Sequence, residues 1–287
     1  MNILVIGGTG LLGTAILKAK KPKKFLLKIS SRTKNKNNII NLDLANISKT
    51  KIIFKKIKPD VIINCSALTN VNECNKSFKK AILNNSNTVK NIVYSSLNLK
   101  KKPHIIHIST DQVYNNKNIL KKNSENNVHV SNNYSKSKYL GEKKLLKYKK
   151  KTIIRTNFFG KSQSLTKSSF SDYLLLNFKK NKSVKLPSNI HFSPIIMSEL
   201  VKNIFKIVDL KIYGTYNIGS SNGISKYDFG ILITKLFKYS PKLILPYLSN
   251  LKDFNRPSGT IMNTKKIEKK LNIKLPSINE SILMLKK

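Results

Sequence analysis

Short runs of apolar, often β-branched residues recur along the first half of the chain. Longer Lys-rich stretches separate them, and in these the apolar positions return every three or four residues. The runs Asn2–Ile6, Phe25–Ile29, Ile39–Leu42, Val61–Asn64, His104–Ile108 and Thr152–Arg155 predict strands. The stretches Leu11–Lys20, Ile47–Ile57, Ser77–Leu97 and Asn133–Lys147 predict helices between them. Strands alternating with helices imply βαβ units in an α/β architecture, a doubly wound, mostly parallel sheet. The strands read as continuous apolar runs, as they should in a sheet covered on both faces.

After about Thr156 the rhythm changes. Lys161–Ser171 is polar and loop-like, Asp172–Lys180 reads as a helix, and prolines from Pro187 to Pro276 punctuate short elements. The expectation is a dinucleotide-type domain over 1–157 and a smaller C-terminal α+β substrate lobe over 158–287. The segment 190–218, with the strand-like Gly214–Ile218, is expected to return to the first domain.

Composition narrows the function classes. The chain has 287 residues, 40% of them hydrophobic, which is enough for a real core and too much for a disordered tail. Lys and Arg number 55 against 13 Asp and Glu, a formal charge of +42 that first suggests a nucleic-acid partner. The makeup of that charge argues otherwise. Only Arg32, Arg155 and Arg256 are arginines, and Asn and Ile are as conspicuous as Lys. Lys, Asn and Ile are residues of AT-rich codons, whereas most Arg codons are GC-rich, so coding bias explains the excess better than phosphate recognition, where bidentate Arg is favoured. No specific nucleic-acid partner is expected.

Two cysteines, Cys65 and Cys74, are too few for a disulfide framework or a zinc site. No apolar run approaches the roughly 18–20 residues that span a bilayer, and the N-terminal apolar residues run into glycines instead of a signal-peptide layout. The expected setting is soluble, reducing and cytoplasmic, without membrane attachment. His104 and His107 stand three apart in a strand and so on opposite faces, which suits packing and not a metal site. His129 and His191 lack partners at ligand spacing, and no metal is expected.

The first strand ends in Gly7-Gly8-Thr9-Gly10-Leu11-Leu12-Gly13. Glycines there let the backbone turn sharply and approach a pyrophosphate, which would rest on the N–H groups of Leu11, Leu12 and Gly13 opening the next helix. A strand before and an apolar helix after make this a Rossmann-type dinucleotide loop instead of an ordinary Gly-rich turn. The spacing of Gly7, Gly10 and Gly13 is that of extended short-chain dehydrogenases. The second strand ends in Ser30-Ser31-Arg32-Thr33-Lys34, with no carboxylate for a ribose 2′-OH. Ser31 and Arg32 favour a 2′-phosphate, hence NADPH, with NADH as the alternative. Asp43 could bond the adenine amino group or cap the following helix.

Asn133-Tyr134-Ser135-Lys136-Ser137-Lys138 sets Tyr134 and Lys138 at i, i+4 on one helix face. An ammonium beside a phenol favours phenolate and makes tyrosine a usable acid or base. Spacing alone decides nothing here, because so many lysines give eleven tyrosines about two such pairs by chance. Tyr139/Lys143 is the second pair. Context separates them: His107-Ile108-Ser109-Thr110-Asp111 ends the fifth strand, where a parallel sheet presents groups to a ligand. Thr110 there can donate to a substrate carbonyl, or merely cap a turn.

HISTDQVY, NNYSKSKYLGEKKL, IIRTNFFG and RPSGTIMNTKKIEKKLNIKLPSINESI, in this order, resemble the dTDP-4-dehydrorhamnose reductase family over nearly the whole chain. KPDVIINCSALTNVNECN, NIHFSPIIMSELVKNI and GTYNIGSSNGISKYDFG are similar to its intervening segments. The resemblance selects Tyr134 and Lys138 over Tyr139 and Lys143. It implies that Thr110 polarises a 4-keto oxygen, Tyr134 protonates it, and Lys138 lowers the tyrosine pKa and holds the nicotinamide ribose. Asp111 matches the acidic residue beside the threonine. Leu44, Ser66 and Ala67 are implied to lie along the cofactor, and Phe158 and Arg256 along the nucleotide-sugar. Ser135 stands where glycine is usual, and Asn157-Phe158 where a tryptophan often follows.

The implied activity is NADPH-dependent reduction of a nucleotide-activated 4-keto-6-deoxy sugar, in deoxysugar or surface-polysaccharide biosynthesis. A homodimer is compatible with it. The alternatives are an NDP-sugar 4-epimerase or another ketoreductase, which would share these residues, and a non-catalytic regulatory relative. Retention of Thr110, Tyr134 and Lys138 together argues against the last.

Overall fold

The computed structural model describes residues 1–32, 39–165, 167–250 and 256–286. In chain order the strands are β1 (Asn2–Ile6), β2 (Leu26–Ser31), β3 (Ile39–Asn41), β4 (Val61–Asn64), β5 (His104–Ile108) and β6 (Lys151–Thr156). After these come β7 (Phe158–Phe159), β8 (Val184–Pro187), β9 (His191–Phe192), β10 (Ile195–Ile196), β11 (Gly214–Ile218), β12 (Ile224–Ser225) and β13 (Ile244–Tyr247). Seven of them form one sheet in the order β11-β6-β5-β4-β1-β2-β3, with β1 to β6 paired in parallel. The predicted α/β parallel sheet is present. Its strand order reverses between β1 and β4, and the Gly7–Gly13 loop leaves β1 at that switch point.

The helices follow from spacing and caps. They are α1 (Leu11–Lys18), α2 (Ile47–Ile57), α3 (Val71–Lys76), α4 (Phe78–Ile82), α5 (Thr88–Leu97), α6 (Asn133–Leu145), α7 (Phe170–Lys179), α8 (Met197–Asp209), α9 (Lys226–Leu236), α10 (Lys265–Leu271) and α11 (Ile278–Leu283). In α2, Thr50, Phe54 and Ile57 make the buried face, and the Asn46 side chain caps the Lys49 N–H. Asp43 is therefore not the cap; its Oδ1 accepts from Ala45 N in a turn of its own, 3.0 Å away. The predicted helix Ser77–Leu97 is α4 and α5 joined by a π turn at Leu83–Asn87. Ser169/Asp172 and Ser277/Glu280 close capping boxes on α7 and α11.

The chain divides into two units, each gathered from three stretches. The first comprises Met1–Ser109, Asn133–Ile154 and Asn203–Thr215; the second comprises Thr110–Asn132, Arg155–Lys202 and Tyr216–Lys287. The second, expected as the smaller, is nearly as long as the first. It takes in Thr110–Asn132 because that segment's backbone bonds run to the C-terminal region. Asn116 N donates to Gly259 O, Asn123 N to Ile261 O, and Asn263 N to Asn123 O. Of the segment 190–218, only residues 203–215 group with the first unit.

The core of the first unit is built on Leu4, Leu42, Phe54, Ile62, Ile92 and Ile105. That of the second centres on Phe159, Phe178, Phe192, Phe229 and Ile282, with the Phe159 and Phe229 rings edge to face at 5.0 Å. Its short strands pair as β7 with β10, β9 with β12 and β8 with β13. Among the described residues no helix is long and apolar enough to cross a membrane.

Candidate active site

In the first unit the glycine loop is shaped by contacts that admit no side chain. Gly7 has φ +77°, and a Cβ on Gly13 would stand 2.3 Å from Gly7 O and 2.7 Å from Gly8 Cα. The loop is held to β2 by Gly7 N and Gly8 N, which both donate to Ser30 O. Gly10 caps α1 without a side chain, so Leu11, Leu12 and Gly13 turn N–H groups outward along the helix start. That is the geometry an anion needs.

At the end of β2, Ser31 is buried and its hydroxyl lies 3.2 Å from Thr9 Oγ1. Arg32 is exposed and donates to Asn84 Oδ1 at 3.0 Å, keeping further guanidinium donors. Thr33 and Lys34 lie outside the described residues. Asp43 is exposed, whereas the Leu44 side chain is in the core and its carbonyl accepts from Asn91 Nδ2. Beyond β4, the Ser66 hydroxyl and N–H both donate to Asn64 Oδ1. The Asn64 amide nitrogen is thereby turned to His107 Nδ1 at 3.1 Å, which accepts, so the histidine carries its proton on Nε2. Cys65, Ser66 and Ala67, which follow β4, are half-buried.

Burial separates the two Tyr/Lys pairs. Tyr134 is 7% exposed and Lys138 only 2%, while Tyr139 is half-buried and Lys143 lies exposed over its ring. Tyr134 packs with Cys74 and Ala81. Lys138 Nζ donates to Ile108 O at 2.7 Å, which ties α6 to the end of β5. Burial brings the Lys138 ammonium down to about 8, with the Glu142 carboxylate opposing the shift. Glu142 in turn accepts from the Ser109 hydroxyl.

The π turn explains how α6 is set. It presents Asn85, whose amide bonds the Leu68 backbone and donates to Ser137 Oγ at 2.9 Å. Gly141 lets α6 lie against it, since a Cβ there would come within 2.3 Å of Asn85 O. Within this unit the structure therefore brings Lys138, Glu142 and Ser109 together. Sequence reasoning named only the first of these.

Thr110 follows Ile108 by two residues and belongs to the second unit. Its hydroxyl accepts from Gln112 N at 3.1 Å and donates to Asp111 Oδ1 at a long 3.3 Å. A weakly held proton of this kind can be redirected to a stronger acceptor. Asp111 is buried and accepts two further bonds on Oδ2, from Asn157 Nδ2 and Thr260 Oγ1, both at 3.0 Å. Burial raises its pKa above the usual carboxylate value, while those donors and the Lys226 charge pull it back.

Asn157, read from sequence as the residue before Phe158, is thus a partner of Asp111. Phe158 is half-buried in β7, and its neighbour Phe159 fills the core. Arg256 is exposed and lines two cavities of this unit. One, of about 410 Å³, also has Phe170, Ile190, Lys226 and Tyr247 in its wall; the other, of about 800 Å³, is walled largely by Asn115, Asn123, Asn127 and His129. Arg155 is buried inside β6, donating to Tyr114 Oη and Glu125 O, which is a structural role.

The family model described as the RmlD substrate binding domain matches residues 1–286. The chain belongs to this family. Its members among the relatives are the dTDP-4-dehydrorhamnose reductases, NAD(P)-dependent oxidoreductases of sugar nucleotides. The chain is 28% identical over 234 residues to the spore coat polysaccharide biosynthesis protein SpsK of Bacillus subtilis, covering 81% of this chain and 78% of that one. It is 24% identical over 295 residues to the dTDP-4-dehydrorhamnose reductase of Escherichia coli K12, covering 96% and 94%. Its fold is similar to the crystal structure of the Bacillus anthracis dTDP-4-dehydrorhamnose reductase in complex with NADP, with a TM-score of 0.87, 23% identity, and coverage of 99% and 98%. At that identity the last likeness speaks for the fold of the family.

Proposed function

We propose that the protein reduces the 4-keto group of a nucleotide-activated 4-keto-6-deoxy sugar with NADPH, in the manner of a dTDP-4-dehydrorhamnose reductase. The observation that carries this reading is the buried Tyr134/Lys138 pair, anchored to the end of β5 through Ile108 O, in a chain of this family. The residues present fit a dinucleotide. The tight backbone turn that Gly7 and Gly13 permit, with the first-turn N–H groups of α1, suits its pyrophosphate. Arg32 and Ser31, in place of a carboxylate, suit a 2′-phosphate.

When bound, the cofactor supplies the hydride that adds to the sugar carbonyl carbon. Tyr134 gives its phenolic proton to the carbonyl oxygen as the negative charge develops there, so hydride and proton together make the alcohol. Lys138 stabilises the phenolate left behind. In the second unit the Thr110 hydroxyl, held only weakly by Asp111, is able to turn to a substrate acceptor, while Asn157 and Thr260 fix the Asp111 carboxylate. Arg256 meets the diphosphate of the sugar nucleotide. Phe170 and Tyr247 supply apolar wall for its nucleoside.

The test supplies purified protein with NADPH and dTDP-4-keto-6-deoxy-mannose and follows loss of nicotinamide absorbance, with NADH in parallel. Net oxidation of NADPH is expected, and Tyr134→Phe should abolish it while NADPH affinity stays within about twofold. A folded protein that turns over no 4-keto sugar nucleotide would overturn the reading. Interconversion of 4-hydroxy sugar nucleotides epimeric at C4, without net cofactor consumption, would point to an epimerase instead.

A further inference from the structure

Nearly all of this chain's lysines are explained as solvated surface, and Lys226 is not one of them. It is the first residue of α9, half-buried, and it shares the 410 Å³ cavity wall with Arg256. Coding bias can place a lysine anywhere on a surface. It does not account for one whose ammonium is withdrawn from water beside a second cation. Burial lowers the Lys226 pKa, the Arg256 charge lowers it further, and only Asp111 opposes them. Asp111 already accepts hydrogen bonds from Thr110, Asn157 and Thr260.

The cavity itself offers no compensation. Lys185, Lys226 and Arg256 are its charged lining residues, and no carboxylate stands among the described residues of its wall. The remainder is largely apolar or aromatic, with Phe170, Leu186, Ile190 and Tyr247. A cavity whose wall is largely apolar and whose charged residues, Lys185, Lys226 and Arg256, are all cations suits a ligand with an apolar part and an anionic part. A diphosphate diester carries two negative charges, and an exposed guanidinium can fork onto only one phosphate at a time.

We propose that Lys226 is a substrate-positioning residue whose ammonium, with Arg256, completes the binding site for the diphosphate of the sugar nucleotide. This rests on the sugar-nucleotide reading given above and adds a residue to it.

The experiment titrates dTDP alone into the NADP⁺-saturated protein by calorimetry, and measures kcat and KM for the 4-keto sugar nucleotide. The proteins compared are wild type, Lys226→Met, Lys226→Gln and Lys226→Arg. Loss of a charge-assisted contact should weaken dTDP binding and raise KM by about 10- to 100-fold in the Met and Gln variants. In both, kcat should stay within about threefold and NADPH affinity be unchanged, and Lys226→Arg should recover most of the loss. A Kd for dTDP and a KM within about twofold of wild type in the Met and Gln variants would overturn the proposal. A fall in kcat at unchanged KM would do so as well, since it would mark an effect exerted through Asp111. A wild-type protein that binds no dTDP and reduces no sugar nucleotide would instead remove the reductase reading beneath it.

Discussion

Replacing Lys138 by methionine should cripple the enzyme and stabilise the protein at once. The ammonium is 2% exposed and its pKa falls from 10.5 to about 8. That lowering corresponds to roughly 3 kcal/mol, the cost of keeping the charge in the folded state near neutral pH. Methionine removes that cost but leaves Ile108 O without the Nζ donor, a loss of about 1–2 kcal/mol. The net gain is about 1–2 kcal/mol, or a rise of about 2–6 °C in Tm.

The cost of the buried charge depends on pH. Lys138 is protonated in both states below its folded pKa, so the full cost applies there. Above about pH 8 the folded lysine loses its proton before the unfolded one does, and the wild type recovers stability until about pH 10.5. The advantage of Lys138→Met should therefore shrink steadily across that window. Urea unfolding of both proteins at several pH values measures it, alongside a fall in turnover of at least about 100-fold. A variant less stable than wild type near pH 7, or an advantage that does not change with pH, would refute the reasoning.

Two further predictions concern the first unit. Gly13→Ala drives a methyl group into the backbone of Gly7 and Gly8, where no flexible side chain can yield. NADPH affinity measured by nicotinamide fluorescence should fall by at least about 100-fold, with about 1–3 kcal/mol of stability lost. Burial holds the His104 imidazole at about 4, so the folded state stays neutral where the unfolded chain takes up a proton. The stability this contributes is complete above the unfolded value of about 6.5 and is lost as pH falls toward about 4, up to roughly 3 kcal/mol. His104→Gln should flatten the acid limb of a urea-midpoint series; an unaltered slope would count against it.

Much of the sheet was legible because its strands are buried on both faces. β1, β4, β5 and β11 run over the residues that the apolar runs Asn2–Ile6, Val61–Asn64, His104–Ile108 and Gly214–Ile218 mark out. What was not legible depends on contacts distant in sequence. The six-residue α3 buries only Cys74, so it carries no periodicity to read. The π turn shows no signature in LNNSN, yet it sets Asn85 against α6. Thr110–Asn132 joins the second unit through backbone bonds to residues near 260, which side-chain patterning does not encode.

The candidate site divides in the same way. Tyr134 and Lys138 stood out through their neighbouring motifs, and burial then distinguished them from Tyr139 and Lys143. Asn157 and Thr260 acquire meaning only because Asp111, far away in the chain, lies against both. Lys226 was hidden by its own commonness. In a chain with 55 basic residues, composition masks a lysine that only its surroundings make unusual.

The way the chain alternates between units bears on how it can be made. The first unit is complete only when Asn203–Thr215 has been synthesised, and β11, the strand that flanks β6 in the sheet, ends at Ile218. Until the ribosome has passed that point, β6 is an unprotected edge rich in β-branched residues, a template for pairing with another nascent chain. No single proteolytic cut releases either unit whole. Premature termination before about residue 215 should therefore yield aggregates or degradation products, and never a folded cofactor-binding fragment.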